Sequence, residues 1–295
     1  MSRASAEINL SAIADNLKFI KSKTNAQVLA VVKADAYGHG LLPVARAAQD
    51  AGADWLGTAL LEEAITLRNG GITKPIIAWL TPVGEDFKAA INLDIDLSIS
   101  STELLNEIVL AGKSVKKIPR VHIEVDTGMS RGGVGDDWQI FLEELSISAK
   151  NNEINIVGIW SHFARADEPD EGMNKEQLNV FEDRINSAAA AGIKAEFIHI
   201  ANSAASLTIK SAHKSIIRWG IGLYGLSPDI NNLGDSKSLY LKPAMRLKAK
   251  LHLVKAVKAG VSVGYGGTAA TKSDTKLGVV TLGYADGVPR NANNL

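Results

Sequence analysis

The feature that most constrains the fold is a series of eight short apolar runs, rich in β-branched residues, within the first 225 residues. Each run is short enough to form a strand that is buried on both faces. Segments with helical periodicity lie between most of them. In the clearest, residues 174–191, apolar side chains recur on one face, Asn174 can cap the start and Gly192 can end it. The runs span residues 28–35, 55–60, 75–80, 93–100, 120–127, 155–163, 197–203 and 216–225.

An alternation of strand and helix that repeats eight times is typical of a parallel (β/α)8 TIM barrel. An open, doubly wound parallel sheet is the alternative that the same pattern allows. We therefore predict an α/β fold in which the carboxyl ends of eight parallel strands gather at one face of a barrel.

The chain changes character after Gly225, where the segment SPDINNLGDSKS predicts an interdomain linker. Beyond this linker, residues 245–253 alternate apolar and polar side chains, which is the period of a half-buried strand. We predict a barrel over residues 1–235 and a β-rich C-terminal domain over residues 236–295. Because so short a unit can bury little core, we expect the second domain to be truncated as written.

The composition argues against several classes of partner. Lys plus Arg number 32 and Asp plus Glu number 32, so no net charge draws the chain to nucleic acid or to anionic lipid. Cysteine is absent, which excludes disulfides, thiolate metal sites and a cysteine nucleophile, and no metal site is expected. No apolar run approaches a membrane span, and no signal core opens the chain. We expect a cytoplasmic protein that binds small polar ligands.

Polar residues stand at the ends of the predicted strands, where a barrel carries its active site. Lys33 ends the first run, and partial desolvation there would lower its pKa and prepare the amine for a Schiff base. A lysine that only reaches into water is the alternative. Ser203, Gly220 and Ile221 are expected in the loops after the seventh and eighth strands, where barrels often bind phosphate, although ordinary turns use the same residues.

Three further side chains in these segments could take part in a site or serve the structure alone. Arg218 lies inside an apolar run, so its burial requires an acceptor, either on a ligand or in a structural salt bridge. Taken alone, His162 fits a hydrogen-bonded core histidine. Arg131, in the turn DTGMSRGG, fits an exposed side chain that could also meet a ligand carboxylate.

Seven segments together resemble the motifs of alanine racemases, in the order expected for that family. They extend over essentially the whole chain, and seven matches with compatible spacing are too many for chance. The segments are VVKADAYGHG (31–40), VDTGMSRGG (125–133), SHFARADEPD (161–170), NSAAS (202–206), RWGIGLYG (218–225), VGYGGT (263–268) and GYADGVPR (283–290).

The resemblance implies an isomerase that uses pyridoxal 5'-phosphate (PLP) and interconverts L-alanine and D-alanine, supplying D-alanine for cell-wall peptidoglycan. It also implies a head-to-tail homodimer in which each site takes residues from the β domain of the partner. Lys33 would hold PLP as a Schiff base and act as the base on one face of the substrate. Tyr265, from the other subunit, would act on the opposite face, since inverting a carbon requires two bases.

The same resemblance gives roles to the remaining site residues. Arg218 would face the pyridine nitrogen and leave it unprotonated, which discourages decarboxylation and transamination. His162 would lie between Arg218 and the borrowed tyrosine, and this cationic neighbourhood would lower the tyrosine pKa from about 10. Arg131 would approach the substrate carboxylate. The cofactor-binding residues would further include Tyr37, Asn202, Ser203, Gly220 and Ile221, and the substrate entrance would include Asp167, Tyr284 and Arg290.

Two departures from the family pattern matter. Glu124 stands where the family often has a lysine that can be carbamylated, and we expect it to supply a negative charge beside Arg131 directly. A solvent-facing glutamate is the alternative. The family's β domain also continues past residue 295, with a Met-Asp segment that touches substrate and a late tyrosine on the phosphate. We therefore expect this chain to keep the barrel and bind PLP, with racemisation impaired or absent.

Other functions remain open at this point. A broad-spectrum amino-acid racemase would differ only in its entrance and carboxylate contacts. A non-catalytic PLP-binding barrel would lack the β unit, which the segment VGYGGT argues against. A PLP decarboxylase on the same plan would place a carboxylate where Arg218 stands. If the resemblance were accidental, a phosphosugar barrel enzyme would come next.

Overall fold

The computed structural model describes residues 2–168 and 172–292, which form two compact units. One unit is Asn9–Ala244 and contains a barrel. The other joins the segment that ends at Ile8, with strand β1 (Ala4–Ile8), to the segment from Met245 onwards.

All eight predicted strands are present, and they run parallel in one sheet. Their order is β8-β7-β6-β5-β4-β3-β2-β9, so the sheet curls until its two ends approach. The backbone N–H groups of Ser215 and Arg218 donate to the carbonyls of Ile198 and Ala201, at 3.1 and 2.9 Å, across the remaining join. The predicted barrel is confirmed, and the open-sheet alternative is wrong. The strands are β2 (Gln27–Val31), β3 (Trp55–Thr58), β4 (Ile76–Ala78), β5 (Asp96–Ile99), β6 (Arg120–Glu124), β7 (Asn155–Trp160), β8 (Phe197–His199) and β9 (Ile216–Trp219).

Helices follow the strands, and several of them begin at a polar capping residue. Asn9, Asp86 and Ser101 each accept a hydrogen bond from a backbone N–H in the first turn of the helix that follows. The helices are α1 (Leu10–Lys21), α2 (Lys33–Gly38), α3 (Leu41–Asp50), α4 (Leu61–Asn69), α5 (Phe87–Asn92), α6 (Thr102–Val115), α7 (Trp138–Lys150), α8 (Gly172–Ala190), α9 (Ser203–Thr208) and α10 (Ile230–Leu233). Among the described residues, no helix is both long and apolar enough to span a membrane.

Helix α8 corrects one detail of the sequence prediction. It begins at Gly172, so Asn174 lies inside the helix and does not cap it. The Asn174 amide instead donates to the backbone carbonyls of Arg165 and Glu168, at 3.0 and 2.8 Å. Gly192, with φ of +88°, follows the end of the helix as predicted.

Alternate residues of each strand point into the barrel, because the side-chain period of a strand is two. Val28 and Ala30 pack outward against the helices, whereas Leu29 and Val31 join an inner cluster with Trp55 and other residues. The same alternation turns several polar side chains of β5, β6, β8 and β9 inward. The barrel interior therefore has an apolar part and a polar part.

The boundary between the two units differs from the predicted division after residue 235. The predicted linker contains α10, and Leu241 and Ala244 beyond it are buried in the core of the barrel unit. At the other end, β1 pairs antiparallel with β10 (Met245–Ala249), from Ala4 opposite Ala249 to Ile8 opposite Met245. These two strands are so distant in sequence that no local sequence pattern predicts their pairing.

The unit that contains Met245 consists of short antiparallel pairs. β11 (Leu251–Val257) pairs with β14 (Thr275–Val280), and β12 (Ser262–Val263) pairs with β13 (Ala269–Ala270). Short 3-10 turns at Tyr265–Gly267 and Tyr284–Asp286 interrupt the strands. Leu247, Leu251 and Leu253 are 59%, 59% and 47% exposed, so the half-burial expected from their alternation is not observed.

Candidate active site

A cavity of about 340 Å³ opens at the carboxyl ends of the barrel strands. It brings together most of the residues that the sequence selected, because strand ends converge at this face of a barrel. Those residues are Lys33, Tyr37, Arg131, His162, Asp167, Asn202, Ser203, Arg218, Gly220 and Ile221. The remaining lining residues are Val31, Trp79, Trp160, Ala204 and Pro228, which the sequence analysis did not select.

Lys33 begins a turn with an unusual backbone. The four residues from Ala34 to Tyr37 all have φ of 52 to 53°, so this short helix is left-handed. Left-handed helical backbone costs about 1–2 kcal/mol per non-glycine residue, so the turn needs strong support from its surroundings. Glu63 gives that support, since its Oε1 accepts the Ala34 N–H at 2.6 Å while its Oε2 accepts two N–H groups before α4.

The Lys33 amine is tuned by its surroundings. Burial lowers its pKa, the positive charges of Arg131 and Arg218 add to this effect, and the carboxylate of Glu63 opposes it. A lower pKa leaves more of the amine neutral near neutral pH. Lys33 can therefore act as a nucleophile or as a base.

Hydroxyl and amide groups also gather at the cavity. The Ser203 hydroxyl oxygen accepts the N–H groups of Gly220 and Gly222, at 2.9 and 3.3 Å. A Cβ on Gly220 would lie 3.1 Å from the Tyr37 hydroxyl and 3.8 Å from that of Ser203. Glycine thus leaves room for a small anion among two hydroxyls and backbone amides. Asn202 uses its side chain to cap α9, accepting the Ala205 N–H at 3.0 Å.

Arg218 is the most buried charge at the site, with 4% of its surface exposed. Burial lowers its pKa to about 9, and the charge of Glu124 opposes that shift. The guanidinium donates to the carbonyls of Ser161, His199 and Ile200, at 2.8 to 3.1 Å, and lies 5.0 Å from the Trp160 ring centre. The structural salt bridge considered from sequence is absent, since no carboxylate in the described part of the chain pairs with this arginine.

His162 accepts from Arg218 through its Nδ1, at 2.8 Å, so its remaining proton belongs on Nε2. Burial lowers the pKa of His162 well below its usual value, and the neighbouring cations lower it further. This ring is therefore neutral. The simple core interpretation is insufficient, because His162 also lines the cavity.

Arg131 is exposed, as one interpretation expected, and it also lines the cavity. Its loop is shaped by Asp126, whose carboxylate accepts the N–H groups of Gly128 and Ser130. Glu124 lies under the same loop, where a Cβ on Gly132 would approach its Oε1 at 3.0 Å.

Glu124 is only partly the negative charge that the sequence led us to expect. Burial raises its pKa to about 7, although the charges of Arg131 and Arg218 oppose the shift. The carboxyl is thus about half ionised near pH 7. Among the described residues no direct ion pair links it to Arg131.

Sequence reasoning missed two groups of residues. Trp79 and Trp160 lie at strand ends, so the rule that selected Lys33 could have found them. His122 and His199 lie inside the barrel and connect to Arg218 through hydrogen bonds. The sequence did contain an indication of them, since each is a histidine in the middle of an apolar run.

The remaining predicted residues belong to the other compact unit. Tyr265 lies on a 3-10 turn with 92% of its surface exposed. Tyr284 is exposed on a second such turn, and the Arg290 guanidinium lies 6.0 Å from its ring centre. Among the described residues, no group of three or more acidic or histidine side chains could hold a metal ion.

The cavity suits a phosphorylated aromatic aldehyde such as PLP. A lysine with a lowered pKa can bind an aldehyde, and hydroxyls and amides can bind a phosphate. A buried arginine that pairs with no carboxylate of the described residues can bind a ring nitrogen. The donor set contains the groups that each part of the molecule requires.

Comparisons with known proteins show which family the chain is similar to. The model of the alanine racemase N-terminal domain matches residues 8–228, and that of the C-terminal domain matches residues 244–295. The alanine racemase of Salinispora arenicola is 43% identical over 295 residues, a match that covers 100% of this chain and 78% of that protein. The alanine racemase of Thermobifida fusca is 44% identical over 293 residues, covering 99% and 77%.

Solved structures give the same result. The alanine racemase of D-cycloserine-producing Streptomyces lavendulae superposes with a TM-score of 0.94 at 42% identity, covering 99% of this chain and 76% of that one. The alanine racemase of Streptomyces coelicolor A3(2) superposes with a TM-score of 0.92 at 41% identity, covering 98% and 77%.

Proposed function

This chain belongs to the alanine racemase family, and on that premise we propose how its residues interconvert L-alanine and D-alanine. The single observation that carries the proposal is the cavity in which Lys33, Arg218 and the Ser203–Gly220 contact meet. In this family the D-alanine product supplies peptidoglycan synthesis. The chain is therefore an isomerase, and its site residues and cofactor are what we propose.

PLP is the cofactor that the cavity residues fit. Lys33 would hold its aldehyde carbon, and Tyr37, Ser203, Gly220 and Ile221 would hold its phosphate. When bound, PLP withdraws electrons from the α-carbon of an amino acid and makes the proton there acidic. Arg218, which can only donate hydrogen bonds, would face the ring nitrogen and leave it unprotonated. A weaker electron sink favours return of the proton over decarboxylation or transamination.

Two groups would move the proton. Lys33 would remove or return it on one face, since burial and nearby cations increase the neutral fraction of its amine. Tyr265 of the partner subunit would serve the other face. Its exposure on the β unit is what a residue that enters a second copy requires. His162, held by Arg218, would contact that tyrosine, and Arg131 would bind the substrate carboxylate.

We further propose a head-to-tail homodimer located in the cytoplasm, where L-alanine and PLP are available. Asp167, Asn202 and Tyr284 would complete the cofactor and substrate contacts. A broad-spectrum amino-acid racemase is the alternative, and substrate profiling distinguishes the two.

The assignment of Lys33 is tested by borohydride reduction of the chain loaded with PLP, followed by peptide mapping. Reduction should attach the cofactor to Lys33 and abolish the absorbance of the bound form. Lys33→Ala should neither become labelled nor form D-alanine from L-alanine, whereas Lys18→Ala, on the exposed face of α1, should behave like the unaltered chain. A label on a different lysine would refute the site.

The assignment of Tyr265 to the partner subunit is tested by mixing two inactive variants. In a dimer of Lys33→Ala with Tyr265→Ala, one site would combine an intact lysine with an intact tyrosine. Random mixing should therefore restore about a quarter of the unaltered activity, because half of the dimers are mixed and each has one complete site. If both residues acted within one chain, mixing would restore nothing.

A further inference from the structure

A line of hydrogen bonds crosses the barrel interior below the cavity. Arg218 Nη1 lies 3.3 Å from His199 Nδ1, His199 Nε2 lies 3.0 Å from His122 Nδ1, and His122 Nε2 lies 3.2 Å from Asp96 Oδ2. The four side chains are at most 4% exposed. We call Arg218, His199, His122 and Asp96 the interior relay.

The chemistry of its two ends fixes the direction of the interior relay. A guanidinium can only donate, so His199 Nδ1 must accept and its proton must be on Nε2. That proton is donated to His122 Nδ1, which must also accept, and the proton of His122 is then on Nε2. A carboxylate can only accept, so Asp96 receives it. Both histidines are therefore neutral, with the same tautomer.

The surrounding residues support this arrangement. Burial opposes ionisation of Asp96, but hydrogen bonds from His122 and Arg120 outweigh it and hold the Asp96 pKa below its usual value. Arg120 binds the carboxylate with two bonds, at 2.8 and 3.0 Å. Burial lowers the pKa of His199 well below its usual value, and the neighbouring His122 and Arg218 lower it further, which agrees with a neutral ring.

Strand β7 lies between β6 and β8. The hydrogen bond between His122 and His199 crosses β7 at a single glycine. Gly158 is paired with His122 on one side and with Phe197 on the other. A Cβ at this position would lie 2.0 Å from His122 Nδ1. No other residue would leave His122 free to reach His199.

We propose that Asp96 and His122 are positioning residues for the reaction: they fix the tautomer of His199 and thereby hold the Arg218 guanidinium in place at the cavity. Neither residue lines the cavity. With the opposite tautomer, an N–H of His199 would face an N–H of Arg218, and the guanidinium would have to move. This inference rests on the proposed role of Arg218 toward the cofactor.

The first test reads the tautomers directly in the full chain loaded with PLP. The chain has six histidines, so ring nitrogen NMR of a histidine-labelled sample is tractable, with assignment by single substitutions. At about pH 8, His122 and His199 should each show one proton, on Nε2. A proton on Nδ1 of His199, or a doubly protonated ring at either position, would overturn the proposal.

The second test uses Asp96→Asn, which keeps the shape of the side chain and removes its charge. The asparagine amide can donate to His122 Nε2 as well as accept from it, so the end of the relay at Asp96 no longer fixes one direction. The NMR signals of His122 and His199 should then become those of mixed tautomers, as the Arg218 guanidinium shifts. The kcat for racemisation should fall about tenfold, which is the loss expected for one misplaced hydrogen bond, with less change in KM. Unchanged tautomers with unchanged kcat would overturn the proposal.

Asp54→Asn is the matched control, because Asp54 is another carboxylate of the barrel unit that binds a cation, Lys21, and a backbone N–H, that of Val28. It has no bond to the interior relay and should leave both tautomers and kcat unchanged. If Asp96→Asn does not fold, the tautomers measured in the unaltered chain still test the proposal. An active chain with the wrong tautomers would refute this inference alone, whereas an inactive chain with no cofactor absorbance would refute the proposed function.

Discussion

Replacing Glu124 by glutamine should change stability in a way that depends strongly on pH. The carboxyl lies under the Arg131 loop, and burial raises its pKa from 4.5 to about 7. A raised carboxyl pKa means that the folded state prefers the protonated form. Stability is therefore lost as the pH rises from the unfolded value toward the folded one, and the penalty is complete above about pH 7.

The size of the effect follows from the two pKa values. The difference between 4.5 and about 7 corresponds to at most about 3.5 kcal/mol, at about 1.4 kcal/mol for each pH unit. Glutamine has nearly the same shape and no charge, so Glu124→Gln avoids this penalty. The variant should match the unaltered chain near pH 4. Because the carboxyl is not fully buried, we expect less than the full limit near pH 8.5, where the unfolding free energy of the variant should be higher by about 2 kcal/mol.

Urea unfolding of both chains without added PLP, at several pH values, measures this difference. Every other titrating group is common to the two chains and cancels in the comparison. Glu143→Gln, at an exposed position on α7, is the control for loss of a surface carboxyl. A difference between Glu124→Gln and the unaltered chain that stays constant from pH 5 to pH 8.5 would refute the reasoning.

Three further substitutions test the support of the site and the barrel. Glu63→Gln replaces one of the two accepting oxygens by an NH2 donor, which would face backbone N–H groups either at the left-handed turn or before α4, and urea unfolding should show a loss of about 2 kcal/mol. Gly220→Ala places a methyl group 3.1 Å from the Tyr37 hydroxyl, so titration should show PLP affinity reduced about tenfold. Gly225→Ala combines φ of +79° with a Cβ only 1.9 Å from a backbone carbonyl, and should lose at least about 2 kcal/mol in urea unfolding. Gly52→Ala is the control, because Gly52 has φ of +96° but open space around it. It should lose less unfolding free energy than Gly225→Ala, and its loss measures the cost of the backbone conformation without a steric clash.

The sequence predicted the barrel and much of the cavity for one physical reason. In a parallel barrel all strands finish at the same face, so listing the polar residues at strand ends also lists neighbours in space. Lys33, His162, Ser203 and Arg218 were selected in this way, and all four line one cavity.

The rest depends on geometry that periodicity does not contain. The contact between His122 and His199 requires the stagger of three strands and the missing side chain of Gly158. The left-handed turn after Lys33 consists of non-glycine residues, so no composition rule indicates it. Strand β1 joined the distant β10, and the predicted domain boundary could not anticipate that pairing.

Arg218 also has a structural role, because it lies where the barrel closes between β8 and β9. Two backbone hydrogen bonds of the described residues close the cylinder there, and one of them comes from the N–H of this same residue. Its guanidinium donates hydrogen bonds to carbonyls at the ends of β7 and β8. The side chain therefore connects three neighbouring strands, β7, β8 and β9. Substituting Arg218 would therefore remove hydrogen bonds that close the barrel as well as a positive charge in the cavity. A different residue at this position would have to restore those hydrogen bonds to keep the barrel closed.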